Sequence, residues 1–346
     1  MPQWEVHVRP CDSRPRCGTL AYWDSLTGLG GGLFSAVRDR DDGISIEGLH
    51  AEVDSRLADL IAPGSGTPVR LDGSMRHSLL APGKRVRALI TMLAAAHHGA
   101  PARAALDPAC AVEMVHSASL VLDDLPAMDD SRLRRGLPAN HCVYGEGTAI
   151  LAAIGLMNRA FGVVAEDGGL GAEQRLAILR VLSWSIGADG LIAGQEQDLN
   201  ASGELDSVAA IEEMHGRKTG ALFAAAAEIG AVVADASAEQ QARARRFGWR
   251  LGIAFQTFDD LVDRFASSGA ALKDTGKDLA KPTLVALLGP ERALAAARAN
   301  LDDALCALAA PLRPSALTRY VGDLREGLLV RLGGRNLELA DGASRH

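Results

Sequence analysis

Residues 110–130 read CAVEMVHSASLVLDDLPAMDD: an apolar stretch with helical spacing from Cys110 to Leu125, stopped by Pro126 and closed by the acidic pairs Asp123-Asp124 and Asp129-Asp130. Proline cannot continue a regular helix, so the spacing predicts a helix that delivers carboxylates at its end. The same arrangement returns at 255–263, FQTFDDLVD. Working outward, Leu49, Val53, Leu57, Leu60 and Ile61 form one apolar stripe before the break Pro63-Gly64-Ser65-Gly66. Val86, Leu89, Ile90 and Leu93 form another that ends near Gly99 and Pro101. Further helices are predicted near 147–165, 172–187, 206–232, 238–265, 283–311 and 315–332. No alternating run flanked by turn signals argues for a sheet, and no fixed repeat argues for a solenoid. The expectation is an all-α chain: one large helical domain over 46–335, an N-terminal extension over 1–45 and a C-terminal tail over 336–346. The extension carries two of the four tryptophans (Trp4, Trp23) and a glycine cluster, without sustained periodicity.

Composition agrees. Among 346 residues, 43 are acidic against 36 Lys plus Arg, a formal charge of −7. That balance excludes nucleic acid as the main partner, because phosphate binding needs a basic face. Hydrophobic residues make up 48% but aromatics only 4%, and Ala- and Leu-rich runs favour helix over sheet. No uninterrupted apolar run reaches the roughly 18–20 residues of a membrane span; Glu228 interrupts the best candidate, 221–233. The charged N-terminus has no signal-peptide core. Five cysteines without a CxxC pair read as free thiols, and a cytoplasmic location is expected.

The acids pose a physical problem. Asp259 and Asp263, four apart, share a helix face with Gln256, and Asp260 stands beside them. Like charges at that spacing destabilise a helix, and desolvation at the end of an apolar stretch costs more. A cation removes the conflict, and hard oxygen ligands with room for water and phosphate describe Mg²⁺. Facing across a cavity, the two acidic segments would grip one diphosphate through bridging metal. Cations are grouped to match. Gly83-Lys84-Arg85-Val86-Arg87 opens a helix, so Lys84 and Arg87 are expected on one side, near free backbone N–H groups. Arg134-Arg135 follows the first acids, Lys218-Thr219-Gly220 sits in a helical run, and Lys273 and Lys281 lie after the second acids. His116, about two helical turns before Asp123, shares its face. Two anion sites follow, one with metal and Asp, the other with Lys, Arg and His, as two diphosphate substrates would require.

These residues resemble the trans-isoprenyl diphosphate synthases (polyprenyl synthetases), above all those of bacterial carotenoid pathways that make geranylgeranyl diphosphate. Residues 112–130 look like their first Asp-rich motif in its longer DDxxxxD form, continuing through Arg134-Arg135-Gly136 and Asn140-His141. Residues 194–199 (GQEQDL), 212–223 with Lys218-Thr219-Gly220, 255–263 and 283–289 follow in the family's order. The resemblance covers roughly 46–290. It implies antiparallel helices around a deep central cavity, a homodimer, and several Mg²⁺ ions, usually three, with Mn²⁺ as a substitute. It also implies the substrates: isopentenyl diphosphate and an allylic diphosphate (dimethylallyl, geranyl or farnesyl).

Carried over by motif, Asp123, Asp129, Asp259 and Asp263 would hold metal, with Asp124 and Asp260 as further motif acids. Arg134, Lys218, Lys273 and Lys281 would hold the allylic diphosphate; Lys84, Arg87, His116 and Arg135 would hold isopentenyl diphosphate. Thr219 and Gln256 would lie near the reacting carbons. Ala118 and Ser119, small residues one turn before the first acids, would leave room for a C20 tail, where the family places a bulky aromatic to stop at C15. Departures are Ala153-Ile154 in place of Gly-Asp, Ala88 for Pro, Leu122 for His, and Leu272 where Gly usually precedes Lys273. The alternatives are a farnesyl diphosphate synthase or another chain length, a class I terpene cyclase, whose Asn/Asp-Ser/Thr-Glu motif is missing, and a non-catalytic subunit, which would lack one Asp motif.

Overall fold

A computed structural model describes residues 43–62, 66–200, 205–265, 283–308 and 315–333. The extension over 1–42, Lys273, Lys281 and the tail over 336–346 lie outside the described residues. The helices, numbered here in order, are α1 (Ile46–Leu60), α2 (Val69–Leu79), α3 (Val86–His97), α4 (Leu106–Asp123), α5 (Asn140–Tyr144), α6 (Glu146–Glu166) and α7 (Ala172–Ile186). They continue with α8 (Leu191–Asn200), α9 (Val208–His215), α10 (Ala221–Val233), α11 (Ala238–Phe265), α12 (Leu284–Leu288), α13 (Pro290–Ala307) and α14 (Ala316–Gly333). The fold is all-α as expected; among the described residues the exception is a ribbon of two two-residue strands, in which Leu133–Arg134 pairs antiparallel with Leu137–Pro138.

Helix α10 is the axis. Every one of its 13 residues is buried, and α3, α7 and α11 pack around it. Its Ala-rich sequence is the reason: side chains that end at Cβ let three neighbours approach on all sides. At Gly248 of α11 the approach is closest, since a Cβ there would stand 2.2 Å from the Phe223 carbonyl oxygen. Glu228, the charge that interrupts this apolar run, is buried and paired with Arg245, whose Nε donates to it at 2.6 Å. The Arg245 guanidinium also lies 5.2 Å over the Trp184 ring. A buried charge persists where it is paired and hydrogen-bonded, so this acid does not break the helix. A smaller apolar cluster, including Ile211, Met214, Phe258, Leu261, Leu284 and Ala293, packs beneath the second acidic segment.

Three expectations need correction. The segment 206–232 is not one helix: α9 and α10 are joined by a five-residue π turn, Gly216–Gly220, which carries Lys218 and Thr219. Such widened turns are frequent at functional sites. The segment 283–311 divides at Gly289, whose φ of +78° ends α12 before Pro290 starts α13. Finally, Ala102–Asp123, Glu146–Glu166 and Ala172–Asn200 are long and apolar enough to cross a membrane by length and composition. Their charges interrupt the runs but are too sparse to lower the mean hydropathy. In the first, 72% of the apolar window is buried inside the fold, against 39% and 28% in the others.

Candidate active site

The first acids sit where α4 ends. Asp123 is its last residue and Asp124 its C-cap. Pro126 forces the chain out of the helix, and the loop folds back: Asp129 N–H donates to the Asp123 carbonyl at 2.9 Å, and Ser131 N–H to the Asp124 carbonyl at 3.2 Å. Asp129 therefore returns beside Asp123. Burial, reinforced by Asp129 and Asp124 against the opposing pull of Lys218 and Arg134, pushes the Asp123 carboxyl up to about 6. Asp124 points the other way. It is buried and ion-paired with Arg134, whose Nε donates to it at 2.9 Å, and burial still raises its carboxyl against that pull.

The second acids belong to α11, and a hydrogen-bonded chain ties them to the π turn. Thr219 Oγ1 donates to Gln256 Oε1 at 2.7 Å, and Gln256 Nε2 donates to Asp260 Oδ1 at 2.9 Å. His215 Nε2, the end of α9, stands 3.4 Å from Asp260 Oδ2. Lys218 Nζ donates to Asp198 Oδ2 on α8 at 2.6 Å. That contact depends on Gly194, because a Cβ there would stand 2.1 Å from the Lys218 backbone nitrogen.

The charges of the two ends act on one another. Lys218, from the π turn, is the leading opposing charge on Asp123, while Asp259 of α11 acts on Arg87 of α3. Arg87 Nη1 donates to His116 Nε2 at 3.2 Å, and the Arg87 guanidinium lies 4.4 Å over the Phe223 ring. His116 accepts this bond as a neutral ring. Burial first, then Arg87, Arg135, Arg134 and Arg85, hold it well below the ordinary histidine range. Burial lowers Arg87 itself to about 10, although Glu113 and Asp259 pull the other way. Among the described residues, Arg87 Nε is buried without a hydrogen-bond partner. Arg135 joins this group: a Cβ on Gly83 would stand 2.9 Å from its Nη1.

Lys84 is not on the helix as its spacing predicts. Helix α3 begins at Val86 after Arg85, which takes a left-handed φ of +49°. Nor are all the first-turn N–H groups available to an anion. Ala88 N–H already donates to Glu113 Oε1 at 3.2 Å, so a buried carboxylate from α4 caps α3. Glu113 Oε2 is also 4.0 Å from Arg85 Nη1. Ala118 and Ser119 are both buried in α4, and Ser119 Oγ donates to the His116 carbonyl at 2.9 Å. Asp263 lies on α11. Glu113, Asp198 and His215 are the residues that motif reading passed over. Asp198 lay within the quoted GQEQDL segment, and His215 three residues before Lys218.

Among the described residues, no group of three or more His, Cys, Asp or Glu side chains converges closely enough to hold an ion. Mg²⁺ does not require one, since it keeps several waters and is bound through one or two carboxylates plus substrate phosphates. Asp123, desolvated and crowded by Asp129 and Asp124, is a carboxylate that a cation would relieve. The donor set fits the ion.

Known proteins agree with this geometry. The family model for polyprenyl synthetase matches residues 68–310. The geranylgeranyl diphosphate synthase of Pantoea ananas is 44% identical over 246 residues, 70% of this chain and 80% of that protein. That of Pseudescherichia vulneris is 40% identical over 261 residues, 75% of this chain and 84% of that protein. Among solved structures, a geranyltransferase from Helicobacter pylori complexed with magnesium and isoprenyl diphosphate superposes with a TM-score of 0.72 at 26% identity, covering 87% of this chain and 100% of that one. A match that runs through both acidic segments, in sequence and in fold alike, means that the chain belongs to the polyprenyl synthetase family.

Proposed function

We propose that the protein is a prenyltransferase that condenses isopentenyl diphosphate with an allylic diphosphate and releases geranylgeranyl diphosphate. The observation that carries this reading is the grouping of acids and bases around two helix ends: Asp123 ends α4 beside the Asp124–Arg134 pair, and Lys218 and Thr219 of the π turn are tied to Asp198 and, through Gln256, to Asp260 of α11. Asp123, Asp129, Asp259 and Asp263 would hold Mg²⁺, three ions by likeness to the family, with Mn²⁺ as a substitute; the bound ion supplies charge neutralisation to the leaving diphosphate. Lys218 and Arg134 hold the allylic diphosphate from the two sides and stabilise the charge that develops as its C–O bond breaks. Lys84, Arg87, Arg135 and neutral His116 hold isopentenyl diphosphate, whose double bond attacks the allylic carbon. The product then loses a proton, with the departing diphosphate as base. Burial around His116 and Arg87 keeps water from quenching the allylic cation.

Supporting a C20 product are the names of the relatives at 40–44% identity and the small side chain at Ala118. Supporting a homodimer is the apolar row Ile150, Leu151 and Ile154, exposed along α6. Five cysteines without a CxxC pair suit a cytoplasmic setting. The test is incubation of purified protein with Mg²⁺, labelled isopentenyl diphosphate and farnesyl diphosphate, followed by sizing of the dephosphorylated alcohols. A C20 alcohol is expected. C15 or C25 and longer as the main species refutes the chain length, and no elongation at all refutes the activity.

A further inference from the structure

The middle cation of the basic segment Gly83-Lys84-Arg85-Val86-Arg87 does not sit with the others. Lys84 is exposed, whereas Arg85 is 4% exposed and takes a left-handed φ of +49°. A side chain as large as arginine keeps that backbone only where its surroundings hold it there. Arg85 Nε donates to Asp54 Oδ1 at 2.7 Å and Nη2 to the Ala81 carbonyl at 3.0 Å, while Glu113 adds a buried negative charge 4.0 Å from Nη1. Each guanidinium nitrogen thus faces a protein oxygen. Asp54 belongs to α1, and the same helix holds the segment at a second point. His50, one turn before Asp54, donates from Nε2 to the Gly83 carbonyl at 2.8 Å, since a carbonyl oxygen can only accept. Helix α1 therefore grips the chain on both sides of Lys84.

From Arg85 the chain turns directly into α3. Leu89 N–H donates to the Arg85 carbonyl at 2.9 Å, and Glu113 accepts the Ala88 N–H as a capping side chain would. The direction in which α3 leaves this turn sets Arg87, in its first turn, over Phe223 and beside His116. Gly83, at the other end of the segment, lies against Arg135. Lys84, Arg87 and Arg135, three of the groups proposed to hold isopentenyl diphosphate, thus depend on where this segment is held. Helix α1 precedes residues 68–310, the part of the chain that the family model matches, so no motif residue marks this support.

We propose that Arg85 is a positioning residue and not a substrate ligand: locked to Asp54 of α1, it turns the chain between Lys84 and Arg87 and so sets both cations for isopentenyl diphosphate. The inference rests on the prenyltransferase reading and fails separately from it. A wild-type protein that elongates no substrate refutes that reading; a wild-type protein that elongates substrate, with variants that depart from the pattern below, refutes this one.

The experiment compares wild type with Asp54→Asn, Arg85→Lys and the double variant, by steady-state kinetics for both substrates and by calorimetric titration with isopentenyl diphosphate alone. Asp54→Asn separates the alternatives by sign. It removes a negative charge near a site for an anion, so charge alone would tighten the binding of isopentenyl diphosphate. Loss of position weakens it instead. The KM and dissociation constant for isopentenyl diphosphate are expected to rise about tenfold, with kcat and the allylic KM within about threefold, the pattern of lost ground-state binding. Arg85→Lys keeps the charge but cannot hold Asp54 and Ala81 together, and should show the same rise. The double variant should add less than about threefold to either single change, because both loosen one contact. Tighter or unchanged binding in Asp54→Asn, full affinity in Arg85→Lys, additive losses in the double variant, or equal rises in the two KM values would overturn the proposal. Should circular dichroism show that Arg85→Lys does not fold, Asp54→Asn, at a half-exposed position, decides on its own.

Discussion

Gly194→Ala adds one methyl group and no charge, and it should disable the site from behind. The new Cβ would stand 2.1 Å from the Lys218 nitrogen and 2.5 Å from its Cα, where ordinary contact begins near 3.4 Å. Both atoms are backbone, so no rotamer change relieves the overlap. Helix α8 and the π turn must part by about 1.3 Å, a strain of about 1–3 kcal/mol in a packed interior. Asp198 moves with α8, so its 2.6 Å bond to Lys218 Nζ is broken or bent. On the proposed reading Lys218 steadies the leaving diphosphate, and a displacement near 1 Å at such a group costs about 100-fold in rate. Thermal unfolding and initial rates on the same preparation separate the two effects. The expected outcome is a folded protein with a modestly lower Tm and kcat reduced about 100-fold. A rate within about threefold of wild type, with α8 shown to have moved, would mean that Lys218 does not act where it stands.

Three further predictions concern the charges. Asp259→Ala and Asp123→Ala should each lower turnover by several powers of ten, at about 1.4 kcal/mol of barrier per tenfold, and near-normal rates in a product assay would reject their roles. The raised Asp123 carboxyl, at about 6, is protonated in the folded metal-free protein over a range where an ordinary aspartate is ionised. Metal must displace that proton, so Mn²⁺ affinity, read from the free-ion EPR signal, should hold above pH 7 and fall about tenfold per unit below 6; constant affinity down to pH 5 contradicts it. Glu113→Gln keeps an acceptor for Ala88 N–H but removes the buried charge beside Arg85, and should cost about 3 kcal/mol in urea unfolding. A loss below about 1 kcal/mol would show that the anion contributes little there.

The legible part of this molecule is what periodicity and punctuation control. Apolar spacing marked α1, α3, α4, α6, α7 and α11 to within a few residues, because each buries one face against the same core. Helix α8 was not marked, since LIAGQEQDLN carries its meaning in backbone contact with the π turn rather than in an apolar stripe. The π turn itself left no pattern, because GRKTG fits a continuous helix equally well. Glu113 escaped for a related reason. Within an apolar helix it reads as an interruption, and only the tertiary position of α3 shows that it caps another helix's first turn.

The paired charges show where sequence reading stops and why. Asp123-Asp124 and Asp259-Asp260 look redundant as motifs, yet adjacent residues on a helix point about 100° apart and cannot share a target. Asp124 takes Arg134, and Asp260 takes Gln256 and stands by His215. Arg134 is held by Asp124, while Arg135 lies against Gly83. On the proposed reading, the inner acid of each pair, Asp124 or Asp260, fixes the local geometry, and the outer one, Asp123 or Asp259, meets the metal. Replacing the inner member should therefore act on kcat through geometry, and replacing the outer one through lost charge. Asparagine, which keeps the shape of aspartate without its charge, should spare Asp124 and Asp260 far more than Asp123 and Asp259.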